Sequence, residues 1–244
     1  MNFHSRPLRL SALMGFSLFL MGAAGAVTLT LPAVEDTFLI ENSSANAGGH
    51  SHVALGTSNN GSSRRGLFQF DVASMIPAGA TINSVTFTTS VLLAGGGNAF
   101  TANLSALTQD WGEGVGTGNN GRTAIGSEAN WTENFSGTST WTTPGGDFSN
   151  IVLSNAAING VGTVTFASGP DFVSAVQQML DNPLNDFGFI LAASDESISG
   201  TAVRLNSLEN GGPVSLTVDF TPVPEPSSLS LLALAAGFLS FRRR

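Results

Sequence analysis

Trp111, Trp131 and Trp141 all fall in one stretch of the chain that is rich in glycine and polar side chains. An indole stacks well on the apolar C–H face of a sugar ring while nearby Asp or Asn side chains bind its hydroxyls. Trp111 and Trp131 are therefore candidate ligand-binding residues. The competing role is core packing, the usual fate of indole, and it is favoured most for Trp141, beside the turn Gly145-Gly146-Asp147-Phe148. Arg64 and Arg65 form a basic pair able to clamp a carboxylate or sulfate, or to split into one ion pair and one solvated cation. Asp36, Asp71 and Asp219 are candidate calcium ligands, since calcium takes several carboxylate and carbonyl oxygens. The competing role for these acids is solvation or turn capping. If the first and last strands pair, Glu35 or Asp36 approaches Asp219. Glu113, Glu128 and Glu133 offer the two carboxyl groups that glycoside hydrolysis needs. His50-Ser51-His52 sets two imidazoles on one side of an extended segment, with no cysteine and no evident third ligand. There is no Gly-x-Ser-x-Gly element for a serine hydrolase. No catalytic residue is assigned, and the chain reads as a non-enzyme.

Composition narrows the partners. The 244 residues contain no cysteine and no tyrosine, and all nine basic residues are arginine. Without disulfides, an exported domain must rely on its core alone. Between Val27 and Val223, sixteen acidic residues against four arginines leave a formal charge of −12. Nucleic acid is excluded, since phosphate binding needs a basic face. An anionic polysaccharide is disfavoured unless calcium bridges it or the arginines cluster. Charged residues are scarce, at 11% against roughly 25% in typical domains. Gly, Ser, Thr and Asn take their place and suit short strands and long turns.

The two ends read as addresses. At residues 1–26, Arg6 and Arg9 precede the apolar run Leu10 to Met21, and Ala24-Gly25-Ala26 fits the small-x-small cleavage pattern of a secretory signal. Sec machinery and a signal peptidase are the implied partners. At residues 223–244, Pro224-Glu225-Pro226 is followed by the apolar run Leu229 to Phe241 and then by Arg242, Arg243 and Arg244. A helix from Ser227 to Phe241 would rise roughly 22 Å, against roughly 30 Å of hydrocarbon, and snorkelling arginines extend its reach. The positive-inside rule keeps those arginines cytoplasmic. The order of these three parts resembles the PEP-CTERM sorting signal of bacterial surface proteins. The resemblance implies cleavage near the motif by an exosortase-type peptidase, release to the cell surface or extracellular matrix, and membrane attachment only as a precursor.

Between the ends lies one domain, residues 27–222. Period-two alternation marks strands at Val27 to Leu31, Val34 to Ile40, Arg64 to Asp71, Val85 to Val91, Phe100 to Leu107, Ile151 to Leu153, Gly162 to Phe166, Phe187 to Ala192, Thr201 to Asn206 and Val214 to Phe220, with a shorter one at Ser51 to Gly56. In Arg64 to Val72, Phe68, Phe70 and Val72 share one face, and Leu67, Gln69 and Asp71 the other. Residues 109–150 break the pattern and read as long loops crossing one end of a sheet. Asp171 to Asp181 is the single short helix, with Phe172, Val176, Met179 and Leu180 on one stripe, Ser168 or Asp171 as cap and Pro183 just beyond. Closely spaced strands with intervening turns predict an all-β fold, an antiparallel jelly-roll-like β-sandwich. A signal helix and a transmembrane-like helix are expected to flank it.

Several stretches of the body carry a second resemblance. They are Glu35-Asp36-Thr37; Arg64-Arg65-Gly66-Leu67-Phe68-Gln69-Phe70-Asp71 with Ile76 to Ile82; Gln109-Asp110-Trp111-Gly112-Glu113-Gly114; Trp131, Trp141 and Gly145 to Phe148; Gly188 to Leu191, Ala193 to Glu196 and Ser207-Leu208-Glu209. In this order they are similar to the DNRLRE-type domain, a jelly roll related to carbohydrate-binding modules; the insert Gly116 to Ala129 departs from its compact form. The resemblance implies a non-catalytic module that contacts polysaccharide, and jelly rolls of this kind often hold a structural calcium. The expected function is an exported surface or matrix protein that binds polysaccharide. The alternatives are a glycan-degrading hydrolase and a purely structural component.

Overall fold

Alternating runs of β-branched and aromatic residues fold as antiparallel strands across residues 25–95, 98–118 and 120–223, the part of the chain that the computed structural model describes. The two flanking helices expected from the sequence lie outside these residues. Among the described residues, no helix is long and apolar enough to cross a membrane. In chain order the strands are β1 (Val27–Pro32), β2 (Glu35–Ile40), β3 (Ala45–Asn46), β4 (Val53–Thr57), β5 (Ser63–Gln69), β6 (Thr81–Ala94), β7 (Phe100–Ala106), β8 (Arg122–Thr123), β9 (Glu133–Phe135), β10 (Ser139–Thr140), β11 (Ser154–Ile158), β12 (Gly162–Phe166), β13 (Phe189–Ala193), β14 (Val203–Leu205) and β15 (Ser215–Thr221). Two α-helices join them, α1 (Val72–Met75) and α2 (Pro170–Asp181).

Eleven strands make one curled antiparallel sheet in the order β1-β15-β6-β14-β4-β5-β13-β7-β11, with β12 also paired to β6 and β2 to β5. The corner is β4. Its Val53 to Leu55 pair with β14, and Gly56 and Thr57 pair with β5. Gly56 has φ +95°, and a Cβ there would lie 2.8 Å from the Thr201 carbonyl oxygen, so only glycine turns this corner without strain. Curling brings the two halves face to face over a phenylalanine core. The Phe87 ring from β6 meets those of Phe68 and Phe70 at 5.3 and 5.7 Å between centroids, and Phe166 stacks on it at 5.6 Å. All four side chains are fully buried.

Helix α2 follows the stripe read from its sequence: Phe172, Val176, Met179 and Leu180 are its buried residues. Its cap differs. Gly169 occupies the N-cap without a side-chain bond, because the Ser168 hydroxyl accepts the Val85 N–H instead. Three other expectations are corrected. Ile151 and Val152 are exposed, and the ladder with β7 starts at Ser154. Asp71 ends β5 by accepting the Ser74 N–H, which opens α1 where only a turn was expected. Residues 109–150 do not merely cross an end of the sheet; they cover a face of it.

That covered face follows from alternation. Phe38, Phe68 and Phe189 point into the phenylalanine core, so their neighbours Leu39, Leu67 and Ile190 point the other way. Those three join Leu107, Trp111, Ala129, Trp131 and Trp141 in a second buried cluster. Strands β2, β5 and β13 are thus apolar on both faces. Leaving the second face in water would cost about 25 cal/mol for each Å² of apolar surface.

Candidate functional site

The second cluster is where the sequence placed its ligand-binding tryptophans, and the geometry makes them interior. Trp111 and Trp131 are 2% and 7% exposed. The Trp111 Nε1–H donates to the Phe187 carbonyl at 3.0 Å, and the Trp141 Nε1–H donates to that of Asn130 at 2.9 Å. An indole face already packed against Leu39, Leu67 and Ile190 has no surface left for a sugar ring. The stacking platform expected at Trp111 and Trp131 is therefore not formed, and core packing takes its place.

The arginine pair does not converge on one ligand, because adjacent strand residues point to opposite faces. Arg65 lies on the tryptophan side. It makes a bidentate pair with Glu196, Nε to Oε1 at 2.8 Å and Nη2 to Oε2 at 2.7 Å, and its Nη1 donates to the Gly145 carbonyl at 2.9 Å. Its guanidinium carbon sits 5.0 Å from the Trp131 ring centroid and 5.6 Å from that of Phe148. Gly145 has φ +94°, and a Cβ there would lie 2.6 Å from Arg65 Nη1, so the lock depends on that glycine. Arg64 turns back on its own strand, donating to the Ser62 and Ser63 carbonyls at 3.0 and 3.1 Å. Burial lowers its pKa, with the Glu41 charge opposing. Arg65→Lys is expected to cost about 1–3 kcal/mol in urea unfolding, because an ammonium reproduces neither the fork nor the flat stack. Unchanged stability would contradict this reading of Arg65.

Three expected calcium ligands are scattered. Strand β1, not β2, pairs with β15, which sets Asp219 opposite Thr28. There it accepts from the Thr28 hydroxyl at 3.1 Å and the Asn83 amide at 2.8 Å. Asp71 caps α1. Asp36, 1% exposed, accepts the Leu208 N–H at 2.6 Å, and its own N–H donates to Glu113 Oε1 at 2.9 Å. Among the described residues, no group of three or more His, Asp or Glu is placed to hold a metal ion. Asp36, Asp71 and Asp219 therefore do not converge on one calcium site.

What Asp36 does have is like charge around it. Burial, then the charges of Glu209 and Glu113, push its carboxyl up to about 8 against the pull of the Leu208 N–H. Burial, with Glu209 and Glu35, pushes Glu113 up to about 7. The other two candidate acids go the opposite way. Burial alone would raise Glu128, but the Ile125 N–H, the Arg122 guanidinium and the Val115 N–H outweigh it. The Gly137 N–H, the Asn130 amide and the Ser136 hydroxyl hold Glu133 down. His50 and His52 sit with ring centroids 3.9 Å apart. Burial, His50 and Arg204 lower His52 to about 4.

The residue that sequence reading missed is Asn46. It is 0% exposed, and its Nδ2 donates to the Glu113 and Ala129 carbonyls at 2.6 and 3.0 Å. Its Oδ1 accepts from the N–H groups of Gly116 and Gly48, at 2.9 and 3.2 Å. One amide thus spends its full hydrogen-bonding capacity fastening the long insert to the β3 segment, which pairs with β8 apart from the main sheet. The only hint in the sequence was an asparagine among small residues, in Ala45-Asn46-Ala47-Gly48-Gly49.

The C-terminal junction completes the functional features. The body ends on β15, paired to β1 and β6 as far as Phe220 and Thr221 respectively. Ala26 is exposed just before β1, and Val223 is exposed just after β15. Ala24, Pro224, Glu225, Pro226, Arg242, Arg243 and Arg244 lie outside the described residues. No curated protein matches the chain, and the comparisons lend no support to the DNRLRE-type resemblance of its body. Residues 222–244 match the model of the PEP-CTERM protein-sorting motif, which marks a protein sorted through exosortase-type machinery to the cell surface, with transient membrane attachment.

Proposed function

We propose that the chain is an exported, non-catalytic surface or extracellular-matrix protein. In this reading its sandwich is a jelly roll of the carbohydrate-binding-module kind that binds polysaccharide. Residues 1–26 act as the Sec-dependent secretory signal cut by signal peptidase, and the exosortase-type peptidase acts near Pro224-Glu225-Pro226. The observation that carries the reading is the sorting motif, which starts at the residue after the last strand, so the body is the cargo of that signal. The non-catalytic part is supported by the glutamates. Glu128 and Glu133 are held by several hydrogen bonds each, and Glu113 caps the Asp36 N–H. Three of the four arginines in the described residues spend their donors within the protein, which favours neutral glycans over acidic ones.

Affinity electrophoresis of the processed protein, recovered from its host, tests the binding part. Gels containing a neutral β-glucan or a galactomannan are expected to retard it, and gels containing alginate are not. Equal mobility in every gel would overturn polysaccharide binding and favour a purely structural component.

A further inference from the structure

We infer that the groove along α2 is the subsite for a neutral glycan chain. This inference rests on the polysaccharide reading above and places it away from the tryptophans. The groove has a volume of about 350 Å³ and runs between α2 and the segment that links β7 to β11. Asp171, Ser174, Gln178 and Asn182 recur along the helix at three- and four-residue intervals, so they line one wall as a continuous polar stripe. From Asp171 to Asn182 that stripe is about 17 Å long at 1.5 Å per residue, enough for a short run of sugar rings. The floor is apolar: Leu107, Leu153 and Met179 are 4%, 8% and 5% exposed.

The chemistry of the lining selects the ligand. The side chains of Asp171, Ser174 and Gln178 make no hydrogen bond among the described residues, and Asn182 reaches only the Gln178 carbonyl, at 3.5 Å. All four point hydroxyl, amide or carboxylate groups at the groove. No arginine or histidine lines it, and Asp171 is its single charged residue. An apolar floor with a few convergent amides and hydroxyls suits a ligand that is polyhydroxylated, uncharged and apolar on its ring faces. The exposed Ile151 side chain at the rim offers further apolar surface.

An extended peptide is the poorer fit, because peptides dock on open strand edges through backbone hydrogen bonds. Here the backbone of the β7 wall is spent. Strand β7 is paired on both sides, by β13 and β11. Beyond it, the Leu107 N–H donates to Gly188, that of Thr108 to Asp147, and that of Ser149 back to Ala106. Recognition in this groove falls to side chains.

The test compares Ser174→Trp, which fills the groove from an exposed position, and the double variant Gln178→Ala with Asn182→Ala against the unaltered protein. Each is recovered in processed form from the host and run in gels containing the neutral β-glucan or galactomannan. Ser174→Trp is expected to weaken retention about tenfold and the double variant severalfold, with melting temperatures unchanged. Strong retention of the unaltered protein, matched by both variants, would overturn the groove and leave the polysaccharide reading intact. Retention by alginate in preference to neutral glycans would overturn the neutral-ligand assignment. No retention of any form would overturn the groove together with the reading it rests on.

Discussion

Trp111→Ala is expected to lower the unfolding free energy by about 3–5 kcal/mol, the cost of removing a large aromatic side chain from a packed core. The indole is 2% exposed and belongs to the cluster that Leu39, Leu67 and Ile190 present on the second face of the sheet. Deleting it leaves a cavity under the insert and removes the donor to the Phe187 carbonyl. Trp111→Phe keeps most of the volume and is expected to cost about 1–2 kcal/mol, chiefly for that hydrogen bond and the unfilled edge. Urea unfolding of the three proteins decides between interior and platform. Were the ring an exposed sugar-stacking surface, alanine would change stability by no more than about 0.5 kcal/mol and would abolish glycan retention instead.

Stability is expected to fall as pH rises from about 4.5 to 8, the reverse of the usual behaviour of carboxylates. Asp36 and Glu113 have ordinary values of 3.8 and 4.5 and folded values of about 8 and about 7. Between those limits the folded state holds protons that the unfolded chain has released. Unfolding therefore becomes easier with each step up in pH. The stabilising protons are fully present below about pH 4 and are lost as pH climbs through the folded values. His52 acts on the acid side. Lowered from 6.5 to about 4, it makes the unfolded chain the better proton binder in that window, which offsets one of the two protons held by the folded carboxyls without reversing the decline. Over pH 4.5 to 9 the maximum is therefore expected at the acid end.

Asp36→Asn keeps an oxygen to accept the Leu208 N–H and removes the titration. Its gain over the native protein is expected to be smallest near pH 4.5 and to grow by on the order of 2–3 kcal/mol between pH 6 and pH 9, or about 5–10 °C in melting temperature. Melting curves from pH 4.5 to 9 measure this decline. A decline equally steep in Asp36→Asn and in the native protein would contradict the assignment.

Much of the architecture was legible because it rests on local periodicity. Strand β5 alternates, helix α2 carries its apolar stripe, and the sorting tail has three parts in fixed order. The second core was not legible for a physical reason. Alternation assigns Leu67 to the face it shares with Gln69 and Asp71, which looks outward until something covers it. The cover, residues 109–150, has no period of its own and is fixed by distant partners: Asn46 to the Glu113, Gly116 and Ala129 backbone, and Arg65 to Gly145 and Glu196. The tryptophans were found by residue type, but whether an indole faces sugar or leucine depends on that cover. Likewise, the three aspartates looked like one calcium set only while the partner of β15 was unknown.

The sorting motif at residues 222–244 carries the central claim, that the folded body is cargo cut from a C-terminal membrane signal. Mass spectrometry of the protein from each fraction of its native host tests it most directly. The account predicts a chain outside the cytoplasm that contains the β15 peptide, stops close to Pro224-Glu225-Pro226, and lacks the apolar run and its arginines. An intact chain still bearing Arg242, Arg243 and Arg244 in the soluble cytoplasmic fraction would contradict it.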